Sequence, residues 1–319
     1  MVFAHLGLVE SGIQVDYRKS TRQVYNELAR RHIAASNSLE ILSHVEDRVL
    51  VMPAPLGSWV PNWMVPWSTK RISMMRNGLS RFRTGSLPKD LAWLAEISKD
   101  FGYANYKILP RCRGFTLFWL NDVSCTFQVS NKLPKEHRMW AELSEQCEIL
   151  FKKKYKWERG SIAPKMDTED ASCLGSLPAI QSRNAEDQHE SPNKISQSLL
   201  DHFDRTLEHP DEESILNGRS LSQILDFDRL RSKVTTSRPQ KRWVLVPNSA
   251  KPGDLICFLQ GSSVPFVVRR PSGMGYHSKD IIDIMIVGEC FLEGAMYDQA
   301  YPFLASGGYT KKASRFLIH

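Results

Sequence analysis

Past Pro239 the apolar positions fall into four short runs, KRWVLVP, DLICFLQG, PFVVRR and DIMIVGECFLEG, each bounded by Gly, Pro or Asn. Runs of that length, rich in Val, Ile, Leu and Phe and split by turn residues, predict strands, and their spacing predicts a small antiparallel β-barrel or sandwich. Residues 20–36, STRQVYNELARRHIAAS, have a different period: Val24, Tyr25, Leu28, His32 and Ala35 recur at helical spacing, with Arg22, Asn26 and Arg30 pointing away. Ser20 and Gln23 have the form of a capping box, in which hydroxyl and amide side chains satisfy each other's orphan backbone amides. His32 on that stripe reads as a core-edge histidine rather than a ligand.

Elsewhere the periods mix. LPKDLAWLAEISKDFG predicts an amphipathic helix, with Leu91, Leu94 and Ile97 on one face and Gly102 as its stop. Tyr106–Leu109 and GFTLFWLNDVSCTFQV predict strands. KEHRMWAELSEQCEILFKKKYKWERG returns to helix through Met139, Leu143, Cys147 and Leu150. SLEILSHVE reads as a short strand or a helix end, while ISQSLLDHFDRTL, GRSLSQILDFDRLRSKV and AMYDQAYPFL read as short helices. Residues 161–195 are polar and aperiodic, as a linker or long loop would be. The expected class is therefore α+β, a helical region with a few strands followed by a small antiparallel β-barrel or sandwich. Its divisions are 1–160 (mixed helix and strand), 161–195 (flexible linker) and 196–319 (short helices and a small β domain).

Between Pro55 and Trp67 three Pro and three Trp exclude a regular helix. Trp59, Pro61 and Trp63 make this an extended, stiffened segment whose rings either plug gaps in the fold or form a stacking platform. Charge bears on that choice. Residues 1–160 hold 24 Lys+Arg against 15 Asp+Glu, and the remainder holds 18 against 20. A basic first half, with Lys152–Lys156 near a helix end, suits either a solvated surface or nucleic acid. The six cysteines are scattered, with no metal-binding spacing and no signal peptide ahead of them, so no metal is expected and a reducing, cytoplasmic setting is. Cys257 and Cys290 lie in apolar runs and read as buried free thiols. The most apolar stretch, IIDIMIVGECFL, is broken by Asp283 and Glu289, so no membrane span is expected.

No nucleophile elbow, P-loop, dinucleotide fingerprint or zinc-protease motif occurs, and no catalytic residue or cofactor is expected. SGMGYH, with Gly273, Gly275 and His277, reads as a hairpin loop. Asp254 closes the turn KPGD and is expected to bond local amides. Glu289 interrupts an apolar strand and needs a partner, for which Arg269 or Arg270 on the neighbouring strand is the expectation. A binding pocket, if present, is expected where Trp243, Arg269 and Glu289 converge.

One long-range pattern unites these blocks. VPNSAKPGDLICFLQGSSVPFVVRR, followed by MIVGECFLEGAM, resembles the carboxy-terminal region of fungal heterokaryon incompatibility (HET) proteins. The matching residues are Pro247, Gly253, Asp254, Gly261, Pro265, Arg269, Val287, Gly288, Glu289, Gly294 and Met296. LGLVESGIQVDYRKSTRQVYNELARRHI is similar to the family's segment just after its HET domain, and SWVPNW to its Pro-Trp motif, with Asn62 where Asp is usual. The signature of the HET domain itself appears nowhere. The resemblance implies the region downstream of that domain, with the domain absent. It also implies a non-catalytic accessory or regulatory role in fungal nonself recognition through protein partners. A basic nucleic-acid-binding protein and a truncated remnant without activity of its own are the alternatives.

Overall fold

The computed structural model describes residues 16–36, 38–46, 56–64, 71–72, 92–98, 105–120, 122–126, 145, 216, 218–225, 241–271, 281–292 and 314–319. The elements are a helix α1 (Thr21–Ser36), a 3₁₀ turn (Glu40–His44), and strands β1 (Ala92–Ser98), β2 (Asn105–Trp119), β3 (Asp122–Thr126), β4 (Arg219–Leu225), β5 (Lys241–Pro247), β6 (Leu255–Leu259), β7 (Phe266–Arg269), β8 (Ile281–Glu289), β9 (Phe291–Leu292) and β10 (Ser314–Ile318). The expectation of a helical region followed by a barrel is corrected: the described chain is mostly strand, and its barrel takes staves from both ends of the sequence.

Five strands close on themselves in the order β2, β10, β8, β7, β6 and back to β2. All the seams are antiparallel except β10 with β8. The long β2 makes closure possible. Residues Arg111–Gly114 pair with β10 along one edge, while residues 105–111 pair with β1 and residues 114–119 with β6 along the other. A four-stranded sheet, β3-β4-β5-β9, continues from the barrel, because β3 follows β2 after Leu120 and β9 follows β8 after Cys290.

Every residue of β6 is buried, as are three of the four in β7, so both faces of these strands are covered. That explains their unbroken apolar runs, since a strand wet on one side alternates instead. Each fully buried Leu, Ile or Phe contributes about 1.5–3 kcal/mol. Leu39, Ile41 and Leu42 of the 3₁₀ segment and Trp59 and Val60 of the Pro-Trp segment join the same core.

Two turns set the strand ends. Gly253 and Gly261 have φ of 93° and 95°, which side chains with a Cβ rarely adopt. At Gly261 the chain docks the amino-terminal elements: its carbonyl accepts from the Leu39 amide at 2.8 Å and from Ser38 Oγ at 3.2 Å.

The start of α1 follows its sequence signature. The Ser20 amide donates to Gln23 Oε1 at 2.8 Å and the Gln23 amide to Ser20 Oγ at 3.3 Å. The buried stripe is rotated from the expected one: Val24 and Tyr25 are in it, but Ala29 and Ile33 replace Leu28, His32 and Ala35, and His32 is exposed. Two adjacent stripes were apolar enough to serve, and the neighbours decided, with Trp63 packing edge-on against Tyr25 at 5.0 Å.

Two expected helices are strands. Within LPKDLAWLAEISKDFG, Ala92–Ser98 pairs residue for residue with Asn105–Arg111. Within GRSLSQILDFDRLRSKV, Arg219–Leu225 pairs with both β3 and β5. In each, sheet pairing overrides a short helical pattern. The helix around Glu145, the segment 161–195, ISQSLLDHFDRTL, SGMGYH and AMYDQAYPFL lie outside the described residues, apart from helical Glu145 itself. Among the described residues no helix is long and apolar enough to cross a membrane.

Candidate functional site

Glu289 closes β8 just before the chain leaves the barrel for the second sheet, and at 4% exposure its carboxylate has lost its water. Arg219, the first residue of β4 and 1% exposed, answers it. Arg219 Nη2 donates to Glu289 Oε1 at 3.0 Å, and Nη1 donates to the Glu289 backbone carbonyl at 3.0 Å. The Ile72 amide also donates to Oε1. One guanidinium and one amide therefore hold the carboxylate in place and tie residues 71–72, β4 and β8 together. Beside the pair a crevice of about 10 Å³ is lined by Ser43, Glu46, Asn248 and Gly288. That is roughly the room one water needs.

The expected partnership of Arg269 with Glu289 is corrected by the strand register. Across β7 and β8, Phe266 faces Glu289 and Arg269 faces Met285. Arg269 and Glu289 thus sit at opposite ends of the ladder, about 10 Å apart along the strand. Arg269 instead forks onto Asp254, Nε to Oδ1 at 2.8 Å and Nη2 to Oδ2 at 2.9 Å, and Nη2 also reaches the Ser249 carbonyl at 2.8 Å. Asp254 Oδ2 accepts from the Lys251 amide at 2.8 Å, which is the local turn bond expected of it. The Gly253 amide then donates to Leu120 O at 2.8 Å, and the Leu120 amide to Asp254 O at 2.9 Å, so the turn clamps the end of β2. Because Lys cannot reproduce the fork, Arg269→Lys is expected to lose about 1–2 kcal/mol of stability. A lower urea midpoint at unchanged slope would register it.

Trp243 does not complete a pocket. It is buried on β5 opposite Gln223, whereas Arg219 pairs with Pro247 at the far end of that ladder. Trp243 therefore lies away from the Arg219–Glu289 pair, and Arg269 lies at the other end of the β7–β8 ladder from Glu289. Of the remaining motif residues, Pro61 is buried, Pro265 accepts the Cys290 amide at 3.0 Å, and Gly288 lies where a Cβ would come within 2.7 Å of Pro247 Cγ. Gly294 lies outside the described residues.

The sequence reading missed a second polar centre. His319 Nε2 and Asp283 Oδ1 are 2.7 Å apart in the interior. Ser58 lies close by, but its hydroxyl donates to the His319 backbone carbonyl and accepts from the Ile286 amide at 2.9 Å. Ser58 does not address the imidazole, so this is a splice between the Pro-Trp segment, β8 and β10 rather than a hydrolytic triad. The available signal was the unbroken apolar run Phe316–Ile318, which carries His319 at its end into the interior. For Arg219 the signal was the alternation of RSLSQIL.

Cys112, Cys257 and Cys290 are buried free thiols, as expected for the last two. Burial pushes Cys112 and Cys257 up to about 12 and raises Cys290 as well, far from the thiolate a nucleophile needs. Among the described residues no three His, Cys, Asp or Glu side chains gather closely enough to hold a metal ion. Trp59 is buried and Trp63 packs on Tyr25, so both rings fill the fold instead of offering a stacking platform; Trp67 and Lys152–Lys156 lie outside the described residues. No family model, curated protein or solved structure matches the chain.

Proposed function

We propose that this chain is a non-catalytic accessory or regulatory region of a heterokaryon-incompatibility-like system, acting through protein contacts in fungal nonself recognition. The ordered sequence blocks supply the resemblance. One observation carries the non-catalytic part of the reading: three charged residues of the resembling block, Asp254, Arg269 and Glu289, are engaged in architecture. Asp254 and Arg269 hold each other and the turn that clamps β2, and Glu289 is held by Arg219 and the Ile72 amide. Such a block keeps a surface in shape and leaves recognition to that surface.

The test has two arms. The purified chain incubated with NAD and nucleoside triphosphates is expected to give no turnover, and measurable turnover refutes the non-catalytic reading. Co-expression in a filamentous fungus with a HET-domain protein is expected to change the incidence of cell death, with Arg219→Ala, which breaks the buried pair, abolishing the change. No effect from the wild-type chain removes the nonself-recognition reading. Binding to single-stranded nucleic acid that weakens steeply with salt would favour the basic nucleic-acid-binding alternative instead.

A further inference from the structure

We propose that His44 is an acid-operated latch, whose protonation releases residues 71–72 from Glu289. The inference is independent of the role proposed above. His44 ends the 3₁₀ turn, and its Nε2 accepts from Arg71 Nη1. Only a ring with an unprotonated Nε2 can accept that bond. Arg71 is followed by Ile72, whose amide donates to Glu289 Oε1. The contact on the imidazole and the contact on the buried carboxylate are therefore made by adjacent residues of one short segment.

The groups around the ring favour its neutral form. From the 71–72 segment it faces the Arg71 guanidinium, and from α1 it feels His32. Glu46 and Glu289 act on Arg71, and Glu40, on the same turn as His44, accepts from Ser263 Oγ at 2.7 Å. Burial first, then Arg71, then His32 hold His44 down to about 4 from its ordinary 6.5. Protonation replaces a hydrogen bond with two facing donors of like charge in a partly desolvated place, where repulsion is strong. The open form, in which the ring regains water, takes up the proton more readily than the closed one. The latch is thus fully held above about pH 6.5 and is lost progressively as pH falls from there through about 4.

Hydrogen exchange of the full chain, followed by NMR at single amides, tests this. The Leu221 amide, which donates to buried Ser124 Oγ at 2.8 Å, serves as the internal reference. Between pH 7.5 and pH 5, after correction for intrinsic rates, protection of the Ile72 amide is expected to fall about tenfold or more while that of Leu221 holds. In His44→Gln, which keeps an acceptor but cannot be protonated, Ile72 protection is expected to stay flat across the same range. His32→Gln should preserve the fall. Three results overturn the latch: flat Ile72 protection in the wild type, a fall that survives His44→Gln, or a fall abolished by His32→Gln. If His44→Gln does not fold, the ring titration of His44 in the wild type decides, and a midpoint at the ordinary 6.5 refutes the proposal.

Discussion

Glu289→Ala is expected to destabilise the chain by about 3–5 kcal/mol, the cost of leaving a buried charge without its counterpart. The size follows from what the substitution strands. Arg219 is 1% exposed and points its guanidinium at the carboxylate, and the Ile72 amide points there too. Glu289→Gln keeps an oxygen for both donors and loses only the charge, so it should cost less. Arg219→Met with Glu289→Leu removes both charges of the pair but still strands the Ile72 amide, so it is expected to cost less than Glu289→Ala without reaching the wild type, because no guanidinium is left facing an empty place. Chemical denaturation of the four proteins orders them. A Glu289→Ala loss under about 1 kcal/mol would mean that water reaches the pair and that the junction of barrel and sheet is looser than described.

How far these features could be read from the residues depended on whether the deciding partner lay nearby in sequence. The four carboxy-terminal strands were legible because burial on both faces leaves an apolar run bounded by turn residues, and β5 spans the whole of KRWVLVP. The capping box was legible because both of its members lie within three residues of each other. β1 and β4 were not, since a seven-residue amphipathic run fits a helix or a strand until its partner is known. The Arg269 and Glu289 pairing failed for a related reason. β7 and β8 are neighbours, but the register, with its bulge between Val267 and Val268, sets the two residues at opposite ends. Arg219 and Glu289 are separated by 70 positions, and no local pattern couples them.

The least legible feature is the seam that closes the barrel, and it gives the second large prediction. Gly114 → Ala is expected to cost about 3 kcal/mol or more, because the new methyl group has nowhere to go without parting two strands. Gly114 sits where β2 meets β6 on one edge and β10 on the other, opposite Leu259 and Ser314. A Cβ there would fall inside contact distance of the Phe258 carbonyl oxygen and 3.1 Å from Phe316 Cε2. The ring can turn aside, but the carbonyl belongs to the backbone of β6. Relief therefore requires β6 to move away from β2, which also strains the neighbouring bond from the Gln260 amide to Arg113 O at 2.8 Å. Gly253→Ala is the matched control: no atom lies within 4 Å of its Cβ position, so it bears only the strain of its φ of 93°, about 1–2 kcal/mol. Urea midpoints should therefore fall in the order wild type, Gly253→Ala, Gly114→Ala. The reverse order would place the tight approach in the turn and not in the seam, and would argue against a closed barrel.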